Sequence, residues 1–213
     1  MAQLKAFWDW FYEYREAYYY LQDFTERERD YYYHELDLRL TAYHPSLSFI
    51  IKFGNQNKKA ELILTANGKA DGMFYVSNLI SIVPEIPKWK ISGFIKPSLD
   101  IEAIKKGKDA PYKLQELDIK PSDIRWAPVD IDPNTYKYDL VFYLKTYPHF
   151  SQTFDEDRLL DYIYMILLDL LGEMYVSKTI GMGYYENEWI HIQDWYRLEN
   201  LKEFLETGEV DFI

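Results

Sequence analysis

Apolar residues recur at Leu4, Phe7, Phe11, Tyr14, Tyr18 and Leu21. Steps of three and four place them on one stripe and predict a helix over residues 3–22. Asp23 and Phe24 close it. Thr25, with Glu28 three residues on, forms a capping-box pattern that opens a second helix running to about Tyr43, ahead of Pro45. Its stripe is Tyr33, Leu36, Leu40 and Tyr43. With so short a joint, the two helices are expected to form an antiparallel hairpin.

After Pro45 the period changes from helical to alternating. LSFIIKFG (47–54) and AELILTANG (60–68), separated by the turn-like NQNKK, read as a β-hairpin with Leu47, Phe49, Ile51 and Phe53 on one face. FYVSNLISIVP (74–84) reads as a short helix ended by Pro84, and KWKISGFIKP (88–97) as a strand. Residues 98–112 form a basic loop, or a short helix and loop. Strands are expected at 124–131 and 137–145 around the turn DPNT. DEDRLLDYIYMILLDLL (155–171) is apolar nearly all round and predicts a central helix ending at Gly172. A last strand near 182–186 and a helix near 194–207 complete the pattern. The expected fold class is α+β, in one compact domain: an N-terminal antiparallel helical hairpin, residues 1–44, then a body, residues 45–213, with a mostly antiparallel sheet packed by a central apolar helix.

The two tyrosine triplets, 18–20 and 31–33, sit in this hairpin. Consecutive helical residues are about 100° apart, so no single face holds a whole triplet. One ring of each is expected between the helices, one against the rest of the protein and one partly in water. The alternative is an exposed aromatic platform, joined by Trp8, Trp10 and Tyr12.

Charge adds a direction to this picture. The chain of 213 residues has 24 Lys+Arg against 35 Asp+Glu, a net charge of −11, and the deficit is uneven: residues 45–108 are net basic, residues 109–213 strongly acidic. Such a field repels phosphate backbones and attracts basic partners, making nucleic-acid binding an unfavoured reading. There are no cysteines, hence neither disulfides nor a thiol nucleophile, which fits a cytoplasmic protein. The longest apolar run, YIYMILL (162–168), lies between Asp161 and Asp169 and falls far short of the roughly 20 residues a bilayer needs, so no membrane association is expected.

Candidate chemistry is sparse. The histidines His34, His44, His149 and His191 form no ligand pair in sequence, and HELD (34–37) lacks the second histidine of a zinc-protease helix, so neither a metal nor any other cofactor is expected. DIDPN (130–134) starts like a calcium loop, but Thr135 stands where glycine is required and Val141 where the bidentate glutamate belongs. GMG (181–183) lacks the rest of a dinucleotide fingerprint, and no GxSxG occurs. The carboxylates Asp169 and Glu173, four residues apart beside the most apolar helix, are the acid/base candidates, with His34 as a further polar group.

The series HELDLRL, FGNQNKKAELILTANG, LISIVPEIPKWKISGFIKP and LLDLLGEMYVSKTIG, with Trp89 in a strand ending at Pro97 and Gly172-Glu173 after the helix, resembles uncharacterised bacterial α+β domains of the DUF695-like kind. The likeness spans roughly residues 34–181. It implies no activity; because the shared pattern contains no catalytic residues, it implies interaction over catalysis, with the aromatic hairpin as an addition.

Two readings from different classes follow. The first is a non-enzymatic acidic module that binds a protein with a basic surface, as an inhibitor or immunity-type partner would. Its interface candidates are Tyr184, Tyr185, Glu186, Glu188 and Trp189, aromatic anchors with a charged rim. The second is a small-ligand-binding protein or hydrolase using Asp169, Glu173 and His34 in a cleft. Nucleic-acid binding through Lys105, Lys106, Lys108 and the tyrosines is a third, weaker reading.

Overall fold

The computed structural model describes residues 2–54, 59–114, 117–144, 156–186 and 194–209. The chain divides into two compact units, Met1–Ile95 and Lys96–Ile213.

In the first unit, helices α1 (Ala2–Tyr19) and α2 (Glu26–Thr41) flank the capping box read from the sequence. The Glu28 carboxylate accepts the Thr25 N–H at 2.9 Å and the Thr25 hydroxyl accepts the Glu28 N–H at 3.4 Å, satisfying two donors that a helix start leaves open. The helices run antiparallel: Tyr18, late in α1, meets Tyr32, early in α2, at 5.5 Å between ring centroids, while Arg39, late in α2, lies 4.3 Å from the Trp10 ring, earlier in α1.

Strands β1 (Ser48–Lys52) and β2 (Ala60–Thr65) pair antiparallel in the register the alternation requires, Phe49 opposite Leu64 and Ile51 opposite Leu62. Helix α3 (Ala70–Ser81) starts earlier than the predicted residue 74. It carries the chain back so that β3 (Trp89–Gly93) pairs parallel with β2, giving the order β1-β2-β3. Gly93 permits that return: a Cβ there would stand 2.9 Å from Ile80 Cγ1 and 3.2 Å from Val76 Cγ1 of α3.

One core serves both helices and strands of this unit, with Trp8, Phe11, Leu36, Leu64, Leu79 and Trp89 among its buried residues. Two indole N–H groups fasten α1 to the strand-and-helix layer, Trp8 donating to the Leu79 carbonyl at 3.0 Å and Trp89 to the Arg15 carbonyl at 3.1 Å. The hairpin expected over residues 1–44 thus shares its core with the strands and helix that follow it. The apolar faces of α1 and α2 are covered by β1–β3 and α3, so the hairpin is part of the first unit's core and the chain divides after Ile95.

The triplets are graded as the helical geometry requires. Tyr18 is fully buried, stacked on Phe11 at 5.5 Å, and its hydroxyl donates to the Tyr32 carbonyl at 2.8 Å. Tyr19, Tyr32 and Tyr33 are half-buried, with Tyr33 stacked on Phe49 of β1. Tyr20 and Tyr31 are the wet rings, 46% and 59% exposed.

The second unit contains α4 (Ile101–Lys105), the short hairpin β4 (Tyr112–Leu114) with β5 (Leu117–Ile119), strands β6 (Ile124–Ile131) and β7 (Tyr138–Leu144), helices α5 (Glu156–Leu171) and α6 (Glu173–Thr179), strands β8 (Ile180–Tyr185) and β9 (Tyr196–Arg197), and α7 (Leu201–Thr207). The main sheet has the order β8-β7-β6-β9, with β7 and β8 parallel and the other pairs antiparallel. Helix α5 buries Leu159, Ile163, Ile166, Leu167 and Leu170, as its apolar circumference predicted. Trp126 of β6 anchors the far side, its indole donating to the Arg197 carbonyl at 2.9 Å and its ring 5.0 Å from Phe204 of α7.

The architecture is α+β, and most strand pairs are antiparallel, but the strands are distributed over three sheets where one was expected. Gly172, expected as a simple helix end, adopts φ 85°, ψ 145° and joins α5 directly to α6.

Candidate functional site

Within Lys96–Ile213 the segment around α4 builds a site. Asp100 caps that helix, its Oδ1 accepting the N–H groups of Glu102 at 2.9 Å and Ala103 at 3.1 Å. Gly107, with φ 63°, takes the left-handed conformation that ends the turn. The Lys108 N–H then donates to the Ala103 carbonyl at 2.9 Å, and the chain folds back along α4. A hollow of about 360 Å³ opens between the two arms, walled by Leu99, Ala103, Ile104 and Pro111.

Asp109 and Tyr112 enter this hollow from the returning arm. Asp109 is only 8% exposed. Its Oδ2 accepts the Ser122 N–H at 2.9 Å, and its buried Oδ1 has no hydrogen-bond partner among the described residues. Lys108 lies at the mouth, exposed.

Tyr112 connects the hollow to Asp169 near the end of α5. The phenol donates to Asp169 Oδ2 at 2.7 Å and the Ser98 hydroxyl to Oδ1 at 3.2 Å, while the Asp169 carbonyl accepts the N–H groups of Ser98 at 2.8 Å and Leu99 at 3.2 Å. Burial, and then the bond to the Asp169 carboxylate, push the Tyr112 hydroxyl well above the ordinary phenol range. Both Asp169 oxygens thus hold donors, and the residue fastens the start of the segment to the central helix. Ser98, Asp109 and Tyr112 escaped the sequence reading. The cap at Asp100 and the stop at Gly107 were legible signals for α4 and its return, but nothing in KGKDAPY marks Asp109 as buried.

The other expected site residues are dispersed. Glu173 is fully buried as the first residue of α6; its charge, second to burial, raises the Tyr164 hydroxyl. Because Gly172 interrupts the helix, Asp169 and Glu173 do not share one helical face, which was the premise for pairing them. His34 belongs to the first unit, exposed on α2 beside an open hollow lined by Tyr33, Asp37, Phe49 and Ile51. Tyr184 and Tyr185 lie on β8, the edge strand next to β7, and the Glu186 N–H donates to the Phe142 carbonyl at 2.9 Å. On that strand Met182 and Tyr184 are 61% and 45% exposed, while Tyr185 and Glu186 are half-buried. Glu188 and Trp189 lie outside the described residues. Among the described residues no group of three or more His, Asp or Glu is gathered to hold a metal ion. Lys105 and Lys106 both pair with Glu102, at 3.3 and 3.8 Å, which dilutes the basic cluster read as a phosphate-binding candidate.

No family model, no curated protein and no solved structure matches the chain.

Proposed function

We propose that this protein is a non-enzymatic interaction module whose Lys96–Ile213 unit binds a protein with a basic surface, in the manner of an inhibitor or an immunity-type partner. The observation that carries the reading is where the charge falls. Met1–Ile95 holds 11 basic and 12 acidic residues, close to balance, whereas Lys96–Ile213 holds 13 basic and 23 acidic. A field of one sign over one unit raises the encounter rate with an oppositely charged partner and rejects like-charged ones. Met182 and Tyr184, exposed on the edge strand β8, supply apolar anchors of the type that dominate interface energetics. Asp169, the strongest acid/base candidate, has both oxygens engaged by Ser98 and Tyr112, which favours a binding role over proton transfer. No described helix is long and apolar enough to cross a membrane.

Capture from lysate on the immobilised protein tests the reading, run beside a variant carrying Glu203→Gln, Glu206→Gln and Glu209→Gln on the exposed side of α7 and beyond. A retained protein of basic isoelectric point, whose association rate falls in the variant and with added salt, is the expected result. Capture of no protein at low salt, or capture of one unaffected by both changes, overturns it.

A further inference from the structure

We propose that the open edge of β1, with the hollow between that strand and α2, receives an extended segment of another protein, which adds to the sheet as a fourth strand and offers a lysine or arginine to Asp37. The inference rests on the first unit alone and is independent of the charge of the second.

The hydrogen bonds of the sheet fix which groups of β1 look outward. The Ala60 N–H donates to the Lys88 carbonyl at 2.9 Å and the Leu64 carbonyl accepts the Phe94 N–H at 2.8 Å, so Ala60, Leu62 and Leu64 direct their backbone groups at β3. Alternation along the strand turns Glu61, Ile63 and Thr65 toward β1, where they face Lys52, Ile50 and Ser48. The N–H and C=O of Phe49 and of Ile51 are left for the far side. β1 ends the order β1-β2-β3, and among the described residues no strand lies beyond it and no backbone group outside the sheet bonds to these four. Such a row is a template for another chain unless a proline, a bulge or a charge blunts it. β1, SFIIK, has none of these before Lys52 at its end.

The same two residues wall the hollow. Phe49 and Ile51 line it from the strand, and Tyr33, His34 and Asp37 from α2, around an open volume of about 410 Å³. Tyr33 stacks on Phe49 at 6.0 Å between ring centroids, joining the two walls. A strand laid along β1 gains backbone bonds and side-chain contact together, because its residues in register with Phe49 and Ile51 project on the face they share.

The occupant follows from both features. A polypeptide backbone repeats donors and acceptors at the two-residue spacing of this edge, which sets the class of ligand. Charge sets its composition: Asp37 is the one carboxylate lining the hollow, no lysine or arginine lines it, and Arg39, on the same helix, pairs with Glu35 at 3.9 Å. A second copy of this chain, pairing β1 with β1 antiparallel, would bring another α2 and another Asp37 to the same face, acid toward acid. A basic segment of a different protein meets no such repulsion.

The test is titration of the uniformly ¹⁵N-labelled chain with the blocked peptide Thr-Val-Thr-Lys-Thr-Val-Thr, whose valines and lysine share one face, reading amide hydrogen exchange. The Phe49 and Ile51 amides should exchange more slowly on binding, by about tenfold when free peptide is about ten times Kd, while the Ile50 amide, already facing Ile63, keeps its rate. N-methylation of the valines and lysine should abolish binding if the added strand is antiparallel, and of the inner threonines if it is parallel; either result supports the proposal. Glutamate in place of the lysine should weaken binding by about fivefold, and exposed Asp37→Lys should reverse that preference. Exchange at Phe49 and Ile51 unchanged by millimolar peptide, indifference to both methylated sets, or equal affinity for the lysine and glutamate peptides overturns the proposal. So does protection of both amides in the free protein together with a dimeric mass in sedimentation, which would give the edge to a second copy.

Discussion

Replacing Tyr112 by Phe removes one hydroxyl and leaves the ring, so the change isolates the bond to Asp169. At 2.7 Å to a carboxylate oxygen that bond is charge-assisted, a kind worth about 1.5–3 kcal/mol. Asp169 is half-buried, and water can partly replace the lost donor, so the lower half of that range applies: about 1.5–2 kcal/mol for Tyr112→Phe. Asp169→Asn keeps the shape but leaves the hydroxyls of Tyr112 and Ser98 facing one acceptor oxygen where there were two, for a loss of about 2 kcal/mol. The double variant cannot lose the same bond twice. Its destabilisation should fall short of the sum by about 1–1.5 kcal/mol, well beyond the 0.3–0.5 kcal/mol within which independent sites add. Urea unfolding of the four proteins at neutral pH, followed by far-ultraviolet circular dichroism and fitted for the transition of the second unit, measures the coupling. Additive losses would mean that Asp169 does not hold the 98–112 segment through Tyr112. Loss of partner capture in Asp169→Asn with stability unchanged would return the residue to a direct functional role.

Burial raises the hydroxyls of both Tyr18 and Tyr112 above the ordinary tyrosine range near pH 10. Below about pH 10 both folded and unfolded states hold these protons and the stability is whole; above it the unfolded state releases them first, so stability falls as pH rises. Absorbance at 295 nm should therefore show a subset of tyrosines ionising only together with alkaline unfolding, and titration of all of them near pH 10 in the folded protein would contradict this. Gly93→Ala should destabilise the first unit by about 1–3 kcal/mol through the contact with Ile80 and Val76, measurable as a lowered melting temperature. Trp8→Phe should cost a similar amount, about 1–3 kcal/mol, because the buried Leu79 carbonyl loses its donor; the same substitution at half-buried Trp10 should cost less in the same melt.

The elements legible in the sequence were those whose pattern reflects one local cause. A capping box and a three-four stripe gave α1 and α2, alternation gave the β1–β2 register, and an apolar circumference gave α5. Tyr14 was placed on the α1 stripe but is exposed, whereas Trp8, off the stripe, is buried, because the indole is held by Leu79 of α3. Helical period reports a face; it does not report a second neighbour 71 residues on. The parallel pairing of β2 with β3 was missed for a similar reason. A parallel partner is fixed by the crossover helix between the strands, and α3 begins at Ala70, ahead of the apolar run that advertised it. Gly172 was read as a cap because glycine most often stops a helix, yet φ 85°, ψ 145° lets a second helix begin at once. Of the candidate site, Asp169 was legible as a carboxylate beside an apolar helix. Asp109 was not, since burial after a lysine-rich turn depends on the return of the chain against α4.

The asymmetry of charge should give folding stability and the proposed partner binding salt dependences of opposite sign. Lys96–Ile213 holds 23 acidic against 13 basic residues, so its net charge stays negative whatever ion pairs form, such as Lys105 with Glu102, Arg197 with Glu199 and Lys202 with Glu206. This excess of like charge repels within the folded unit, so screening by salt should stabilise it. Binding of the proposed basic partner would draw on the same net charge, and screening should weaken it. Release of a partner by salt therefore cannot be ascribed to unfolding of the unit that holds it. In the nearly balanced Met1–Ile95 unit, salt has little net field to act on in either direction.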